Sequence, residues 1–277
     1  MNLSYEKNYI EFLSDILNNP DSNSKENRTA SDTIMSFGKS FAVDLRKGFP
    51  ILFGRKMFPK TFFTELKWFL EGETNIKRFQ DAGIKIWDKW ADKNGDLGPV
   101  YGHQLRNFNG VDQLKLLISN LKQDKNSRRH VITLWNPNQL NRMLLPPCYH
   151  TFTFSVVNGT LNCHVSMRSS DVFVGLPYDI ALFASFMHLL CNTKGINLKP
   201  GKLLFSLTDA HIYLRNIESV HEYLNIANKV TQNYVYVDGP QLNFRTDDLD
   251  IFNFDPLKDL SIINYYPEKK IKVEVVE

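Results

Sequence analysis

The residue with the best surroundings for a nucleophile is Cys148. Two prolines directly precede it, fix the backbone φ ahead of the thiol and restrict its direction of approach. The thiolate is the reactive form of cysteine, and guanidinium groups such as those of Arg168 or the pair Arg128 and Arg129 could stabilise it and hold an anion. The alternative is a small buried apolar side chain, the more common state of a single cysteine, and the local spacing leaves both interpretations open.

The elements that follow this cysteine are predicted to be strands. Residues 151–157 and 160–167 alternate apolar and polar side chains, and Asn158-Gly159 between them is a strong signal for a tight hairpin. Further strands are predicted at 33–45, where Gly38 marks a bend or a bulge, at 130–135, and near 203–208.

Helices are predicted from apolar periodicity and from end signals. Residues 60–72 form an amphipathic pattern closed by Gly72. The longest apolar stretch, Ile180–Cys191, has 12 residues, whereas a membrane span needs about 20, so it is predicted to be a buried helix. Other helices are predicted around 5–17, at 111–122 and from about 212 to 226, with an exposed polar loop at Asn18–Asn27.

The composition is that of a folded protein without a strong electrostatic partner. Lys and Arg number 33 against 30 Asp and Glu, a net charge of +3, which predicts neither a nucleic acid nor a membrane as partner. Strands and helices without regular βαβ alternation indicate the α+β class, and no linker divides the single domain predicted over 1–277.

Cysteine usage and the N-terminal sequence predict a cytoplasmic location. Cys148, Cys163 and Cys191 form neither an even disulfide set nor a metal-binding spacing, and the last two are predicted to be packing residues. The start, MNLSYEKNYIEF, lacks the basic-then-apolar pattern of a signal peptide. We therefore expect a protein of the cytoplasm, or of the host cytoplasm if the chain is phage-encoded, without a metal site.

A series of motifs in order resembles the thymidylate synthase family over nearly the whole chain. The resemblance implies a single-domain α+β fold, a mixed β-sheet packed by helices, that dimerises through the sheet. The motifs are Glu65-Leu66, Trp68–Asn75, Ile86–Trp90, Gly98–Gly102, Ser127–Arg129, Leu145–Cys148, Arg168–Pro177 and Asp209–Tyr213.

The resemblance also implies a chemistry. Cys148 matches the nucleophile that adds to C6 of a pyrimidine nucleotide, so that C5 can attack the one-carbon unit of 5,10-methylenetetrahydrofolate. Glu65 matches the carboxylate that organises water and proton transfer beside the base, and Tyr101 is implied as a further catalytic residue.

Binding roles follow from the same resemblance. A nucleotide phosphate is expected among planar guanidinium groups, and His211 with Tyr213 is expected to hold the sugar hydroxyl. Substrate contacts are also implied for Asp171, which is shared with the folate site. The implied phosphate residues are Arg28, Arg168 and Ser169, with Arg128 and Arg129 reaching across from the partner of a homodimer; the implied folate residues are Ile86, Trp87, Trp90, Leu145, Asp171, Gly175 and Tyr178.

The departure with the greatest consequence is Asp179, where thymidylate synthases carry the Asn that pairs with uracil. Cytosine presents an amino donor at C4 and an acceptor at N3, which suits a carboxylate that accepts from the amino group while a shared proton bridges to N3. An ionised Asp179 would face O4 of uracil with no donor, at a cost of roughly 1–3 kcal/mol, and sites built on such pairing discriminate by about 10⁴. The alternative is a tolerated exchange in an ordinary thymidylate synthase acting on dUMP.

Two other departures, Met167 and Tyr149, replace the usual Gln and His beside the base. With Asp179 they resemble deoxycytidylate 5-hydroxymethyltransferases, in which water captures the exocyclic methylene at C5. Trp87 and Leu145, which shield that carbon from water in methylating enzymes, favour the methyl product instead. The sequence thus favours a hydroxymethyl product and leaves methylation as the alternative.

The remaining departures concern the loop and the tail. The segment Asn27–Thr33 replaces a Gly-rich loop on the phosphate side, Leu105 replaces a usual Trp, and Glu277 ends the chain where a small apolar residue is usual. Ser169 keeps the deoxynucleotide pattern, so dCMP is preferred over CMP. A non-catalytic, RNA-binding member is disfavoured by the intact motifs and the small net charge.

Overall fold

A mixed β-sheet carries the fold, which the computed structural model describes for residues 4–27, 29, 31–233, 239–246 and 249–276. The strands of the large sheet lie in the order β1-β2-β7-β5-β4-β3, with β6 beside β7. β7 is parallel to β5 and β6, and the other pairs are antiparallel. The strands are β1 (Ser22–Lys25), β2 (Thr33–Asp44), β3 (Val131–Thr133), β4 (Tyr149–Val157), β5 (Thr160–Met167), β6 (Ser170–Asp171) and β7 (Lys199–Tyr213), and a separate hairpin pairs β8 (Gln241–Phe244) with β9 (Leu260–Ile263).

Helices pack on this sheet and complete the predicted α+β class. The apolar α6 is buried along almost its entire length, and α2 packs beside it and places Phe62, Leu66 and Phe69 in the same core. No helix in the described ranges is long and apolar enough to cross a membrane. The helices are α1 (Ser4–Asn18), α2 (Pro59–Glu71), α3 (Lys77–Asp81), α4 (Tyr101–Arg106), α5 (Gln113–Gln123), α6 (Leu176–Asn192) and α7 (Ile217–Asn233).

The hairpin after Cys148 is confirmed. Asn158 and Gly159 have φ values of 50° and 74°, and the positive φ at both positions fits a two-residue turn whose twist matches the strands. The end of α2 is also confirmed, since Gly72 caps it in the left-handed conformation. Gly38 in β2 has a φ of 68°, but the pairing register with β7 does not shift across it. It is therefore a bend and not a bulge.

A bulge lies instead in β4, beside the cysteine. Val157 pairs with Thr160 and Thr151 with Ser166, but Tyr149 pairs with Met167. Two residues of β4 therefore oppose one of β5, which reverses the facing of β4 side chains beyond that point. Tyr149 consequently faces the core, like Phe152 and Phe154, and not the opposite side of the sheet.

Three sequence predictions need correction. The helix predicted from 212 begins only at Ile217, because β7 continues to Tyr213, which pairs with Thr33 of β2. The loop predicted at Asn18–Asn27 contains β1, whose polar side chains gave no strand signal but whose backbone pairs with β2. The strand predicted at 130–135 is limited to Val131–Thr133.

Candidate active site

A cavity of about 510 Å³ opens between α2, α6 and the carboxyl-terminal ends of β5 and β7. It contains most of the residues that the sequence motifs indicated. The lining residues comprise Lys25, Asn27, Thr29, Thr33, Phe58, Thr61, Glu65, Ile86, Trp87, Trp90, Tyr101, Leu145, Cys148, Tyr149, Met167, Arg168, Ser169, Ser170, Asp171, Val174, Gly175, Tyr178, Asp179, Asp209, His211, Tyr213, Val273, Val275 and Val276.

Cys148 is half-buried in the cavity wall, where Arg168 organises the segment that carries it. The Arg168 guanidinium donates to the carbonyl oxygens of Pro147 at 3.0 Å and Pro146 at 2.8 Å, and its Nη2 lies 3.7 Å from the cysteine sulfur. The Cys148 backbone N–H donates to the hydroxyl of Tyr101 at 3.0 Å. A fixed cation beside the sulfur stabilises its thiolate form, so this cysteine has the surroundings of a nucleophile.

The other two cysteines are placed for packing. Cys163 and Cys191 are buried, and burial alone raises the pKa of both thiols, that of Cys191 to about 12. A neutral, enclosed thiol is a poor nucleophile.

Glu65 projects from α2 into the cavity and is bonded to the wall through Trp87. The indole N–H of Trp87 donates to Glu65 Oε1 at 3.1 Å. Burial raises the pKa of the Glu65 carboxyl to about 7, although the indole hydrogen bond acts to lower it. A carboxyl group that titrates near neutrality can take up and return a proton during a reaction.

Asp179 stands in the first turn of α6 with its carboxyl group in the cavity. No residue in the described ranges hydrogen-bonds that carboxyl group. Burial raises its pKa well above the usual range, and the charges of Glu65 and Asp171 raise it further. In its protonated form, a carboxyl group without a hydrogen bond from the described residues can pair with a ligand that offers both a donor and an acceptor.

One wall of the cavity is apolar and aromatic, and it carries the residues predicted to bind folate. Trp87 packs edge-on against Trp90 with ring centroids 5.8 Å apart, and the indole N–H of Trp90 is buried without a partner among the described residues. Asp171 accepts from the backbone N–H groups of residues 173 and 174 through Oδ1, and none of the described residues donates to its Oδ2. A flat ring with polar edges fits such a wall. Ile86, Leu145, Gly175 and Tyr178 complete it.

Three polar residues that line the cavity are bonded to one another. Asp209 Oδ1 pairs with His211 Nδ1 at 2.9 Å, and its Oδ2 forms a short ion pair with Lys25 of β1. Burial acts to raise the pKa of Asp209, but the hydrogen bonds from His211 and Lys25 outweigh it and lower that pKa. With Nδ1 engaged by a carboxylate, neutral His211 presents Nε2 as an acceptor. The ring of Tyr213 packs edge-on against His211, with centroids 5.0 Å apart.

Lys25 and Asp209 were assigned no role from sequence. The i, i+2 spacing of Asp209 and His211 would have placed both side chains on one face of a strand, had the strand been predicted that far. Lys25 gave no signal, since it lies in a polar segment 184 positions from its partner.

The predicted phosphate residues are only partly brought together. Arg168 and Ser169 line the cavity, whereas Arg128 and Arg129 are exposed in the connection before β3 and do not line it. Arg28 lies outside the described residues. Of the predicted phosphate-binding arginines that the structure describes, one therefore lies at the cavity of its own chain, Arg168.

The C-terminal segment contributes part of the cavity lining. The buried side chain of Asn216 donates to the Glu274 carbonyl oxygen and accepts from its N–H, both at 2.9 Å. The last predicted tail residue, Glu277, lies outside the described residues. The tail residues that line the cavity are Val273, Val275 and Val276.

The chemistry available here is that of a thiol, carboxyl groups and hydrogen-bonding side chains. No group of three or more His, Cys, Asp or Glu side chains in the described part of the chain is arranged to hold a metal ion. A family model described as thymidylate synthase matches residues 7–277. That span includes every residue that lines the cavity, so one family accounts for the sheet, the helices and the cavity together.

Proposed function

The chain belongs to the thymidylate synthase family, and we propose that its substrate is a cytosine nucleotide. The family's reaction is a folate-dependent transfer of a one-carbon unit to C5 of a pyrimidine nucleotide, with 5,10-methylenetetrahydrofolate as co-substrate. Our proposal is that dCMP, in preference to CMP, is converted to 5-hydroxymethyl-dCMP through a covalent adduct with Cys148.

Asp179 carries the proposal, because its carboxyl group faces the cavity without a hydrogen bond from any described residue. A cytosine edge offers an amino donor at C4 and an acceptor at N3. A protonated carboxyl group matches both, since its carbonyl oxygen accepts from the amino group and its O–H donates to N3. Partial proton transfer to N3 also makes C6 more electrophilic, so the same contact aids attack by the thiolate.

The raised pKa of Asp179 makes the discrimination between cytosine and uracil depend on whether this carboxyl group is protonated. A protonated Asp179 satisfies uracil too, by turning its O–H to O4, whereas the ionised form faces O4 with no donor. N3 of cytosine is a much stronger base than O4 of uracil, so the cytosine complex keeps the shared proton to a higher pH. An unsatisfied buried group costs about 1–3 kcal/mol, and the preference for cytosine is therefore strongest below the pH at which the complexes lose this proton.

Cys148 and Arg168 support the covalent route. The thiolate, held beside the guanidinium, adds to C6, and the electron pair of the C5–C6 double bond becomes available at C5. Folate, when bound, supplies the one-carbon unit that C5 attacks. The aromatic wall and the Asp171 oxygen to which no described residue donates fit a pterin ring, and three valines of the tail add apolar surface to the same cavity.

The methyl product is the second candidate, and Trp87 is the observation that favours it. This side chain is only 7% exposed and stands with Leu145 on the wall that would shield the methylene carbon from water. Water in the same cavity has polar anchors, however, at Glu65 and Asp179. We therefore favour capture by water, with the hydroxymethyl product.

We further propose a homodimer in which Arg128 and Arg129 of one subunit complete the phosphate site of the other, with Arg28 and Arg168. Both residues are exposed and lie away from the cavity of their own chain, which fits that role. Mixing Cys148→Ser subunits with Arg128→Ala/Arg129→Ala subunits tests it. Restored activity in the mixture, from two preparations that are each inactive, supports shared sites; an inactive mixture of proven heterodimers contradicts them.

The function itself is tested by one product analysis. The protein is incubated with methylenetetrahydrofolate and dCMP, CMP or dUMP in separate reactions, and products are identified by mass spectrometry. We expect hydroxymethylated dCMP, and turnover of dUMP with none of dCMP would contradict the cytosine assignment. Asp179→Asn should move the preference toward dUMP, and Cys148→Ser, the matched control for the covalent route, should abolish turnover of every substrate.

A further inference from the structure

We propose that the hydroxyl group of Tyr149 positions the water molecule that adds to the exocyclic methylene, and so selects the hydroxymethyl product. This inference rests on the proposed function. It concerns a residue whose type departs from the family pattern and to which the sequence motifs assign no role.

The first observation is that this hydroxyl has no hydrogen-bond partner in the part of the chain that the structure describes. The side chain of Tyr149 is 4% exposed, lines the cavity, and makes no hydrogen bond with any residue the structure describes. Unlike the hydroxyl of Tyr5, which is fully enclosed without a partner, the hydroxyl of Tyr149 is not completely enclosed by protein. The small exposed surface of the hydroxyl therefore opens on the cavity, where water is the available partner.

The second observation is that the ring is held rigidly. Tyr149 packs against Tyr101 with centroids 4.7 Å apart, against Phe183 at 5.2 Å, and against Phe152 at 6.1 Å. The bulge in β4 turns it to this side of the sheet. A hydroxyl on a ring fixed from several sides holds its water in one position, which lowers the entropic cost of the attack.

The third observation is the residue opposite. Tyr149 and Met167 are direct cross-strand partners, so the two departures from the family pattern form one pair. Met167 is 1% exposed and presents an apolar thioether, a poor hydrogen-bond partner. An amide at position 167 could hydrogen-bond the Tyr149 hydroxyl, whereas the thioether of Met167 leaves that hydroxyl available to bind water. Glu65, which lines the same cavity and whose charge acts on Tyr149, can take the proton that the water loses.

The step balances without an oxidant or a reductant. After the one-carbon unit has been transferred and folate has left, C5 of the Cys148 adduct carries an exocyclic methylene. The water oxygen bonds to that carbon, the electron pair of the C5–CH₂ double bond moves into the C4–C5 bond, the π pair of the C4–N3 double bond moves onto N3, and the water proton passes to Glu65. The pair on N3 then re-forms the C4–N3 double bond, the C4–C5 pair re-forms the C5–C6 double bond, and the C6–S bond breaks as Cys148 leaves as the thiolate.

The test is the product partition of Tyr149→Phe in oxygen-18-labelled water. We expect the wild-type enzyme to place the label in hydroxymethyl-dCMP. In Tyr149→Phe, the ratio of hydroxymethyl product to methyl product or unreacted adduct should fall by about tenfold, because the water loses one hydrogen bond. The dCMP dissociation constant, measured without folate, should not change, because the hydroxyl contacts water and not the base. Met167→Gln should lower the ratio as well, by engaging the phenol.

Tyr5→Phe is the matched control, since it removes another unpartnered buried hydroxyl, away from the cavity. It should leave the ratio at the wild-type value. Wild-type ratios in both Tyr149→Phe and Met167→Gln would overturn the role of Tyr149 and leave the proposed function intact. A wild-type enzyme that yields only unlabelled methyl product would overturn the hydroxymethyl assignment and this inference with it.

Discussion

The indole N–H of Trp87 donates to Glu65 Oε1 over 3.1 Å, and it is the single hydrogen bond that this carboxylate receives from the described residues. Burial and this bond act in opposite directions on the Glu65 pKa, which lies at about 7. A residue of the aromatic wall thereby counteracts part of the effect of burial on the pKa of the group that we propose moves the proton. The relationship makes the pH dependence of the reaction sensitive to a change on the folate side of the cavity.

Replacing Trp87 by Phe should move the acidic limb of the pH–rate profile upward. Wild-type kcat should rise as Glu65 ionises around pH 7, because the carboxylate is the proton-accepting form. Without the indole donor the carboxylate is less stabilised, so the limb shifts to higher pH, by about one unit for a hydrogen bond to a charged group. The measurement is kcat against pH for wild type, Trp87→Phe and Glu65→Gln. An unshifted limb in Trp87→Phe would refute the coupling.

The pH dependence of folding stability should report the pKa of the Glu65 carboxyl group independently of turnover. The folded pKa of Glu65 is raised to about 7 from 4.5, so between those values the folded state binds the proton more tightly than the unfolded state. The contribution of Glu65 to stability is fully present below pH 4.5 and is lost as pH rises through 7. Glu65→Gln lacks this loss, so its melting temperature relative to wild type should increase between pH 5 and pH 8. A constant difference across that range would contradict the assigned pKa.

Selectivity for cytosine should depend on pH. The ratio of kcat/KM for dCMP to that for dUMP should fall as pH rises and Asp179 loses its proton in the complexes, because the base that holds the shared proton more tightly gains more affinity from the protonated site. Asp179→Asn cannot ionise and should show a low ratio that stays flat with pH. The measurement is competition between the two nucleotides in one reaction at several pH values. A wild-type ratio that rises with pH would be incompatible with pairing through a shared proton.

Local signals made part of this fold predictable. Asn158 and Gly159 specify their turn by backbone preference alone, so the hairpin needed no tertiary information. β1 was missed because its strand character comes entirely from pairing with β2. The last residues of β7 were missed for the same reason. Pairing with Thr33 of β2 extends the strand to Tyr213, where the side-chain pattern had suggested a helix.

The site, like the fold, could be predicted only in part from the sequence. Motif order placed Cys148, Glu65 and Asp179 in one cavity, as the structure now describes it. Counting back from the hairpin turn would set Tyr149 opposite Arg168, but the one-residue bulge in β4 sets it opposite Met167 instead. Such a bulge depends on sheet packing and has no sequence signature here, so the facing of Tyr149 could not be derived before the structure.

Thiol reactivity should single out Cys148. We expect one fast alkylation by iodoacetamide, lost in Cys148→Ser, because burial keeps Cys163 and Cys191 neutral and enclosed. Arg168→Met should slow that reaction by about tenfold, since it removes the cation 3.7 Å from the sulfur. Intact-mass spectrometry against time gives both rates, with Arg142→Met, an arginine that does not line the cavity, as the matched control. Equal alkylation of all three thiols would contradict the assignment.

Lys25 and Asp209 should act on nucleotide binding as a coupled pair. Lys25→Met leaves the Asp209 carboxylate uncompensated in a cavity that we propose holds a phosphate dianion, so the nucleotide dissociation constant should rise by about tenfold. Asp209→Asn removes that charge and keeps an oxygen that accepts from His211 Nδ1. The double variant should therefore bind nucleotide better than Lys25→Met alone.

Calorimetric titration of the four proteins at low and high salt decides this coupling. The penalty of Lys25→Met should shrink at high salt, because an electrostatic repulsion is screened whereas a packing defect is not. The exposed ion pair of Lys77 with Asp81 provides the matched control, and Lys77→Met should leave nucleotide affinity unchanged. Additive effects of the two substitutions, with no interaction term between them, would show that Lys25 acts independently of Asp209.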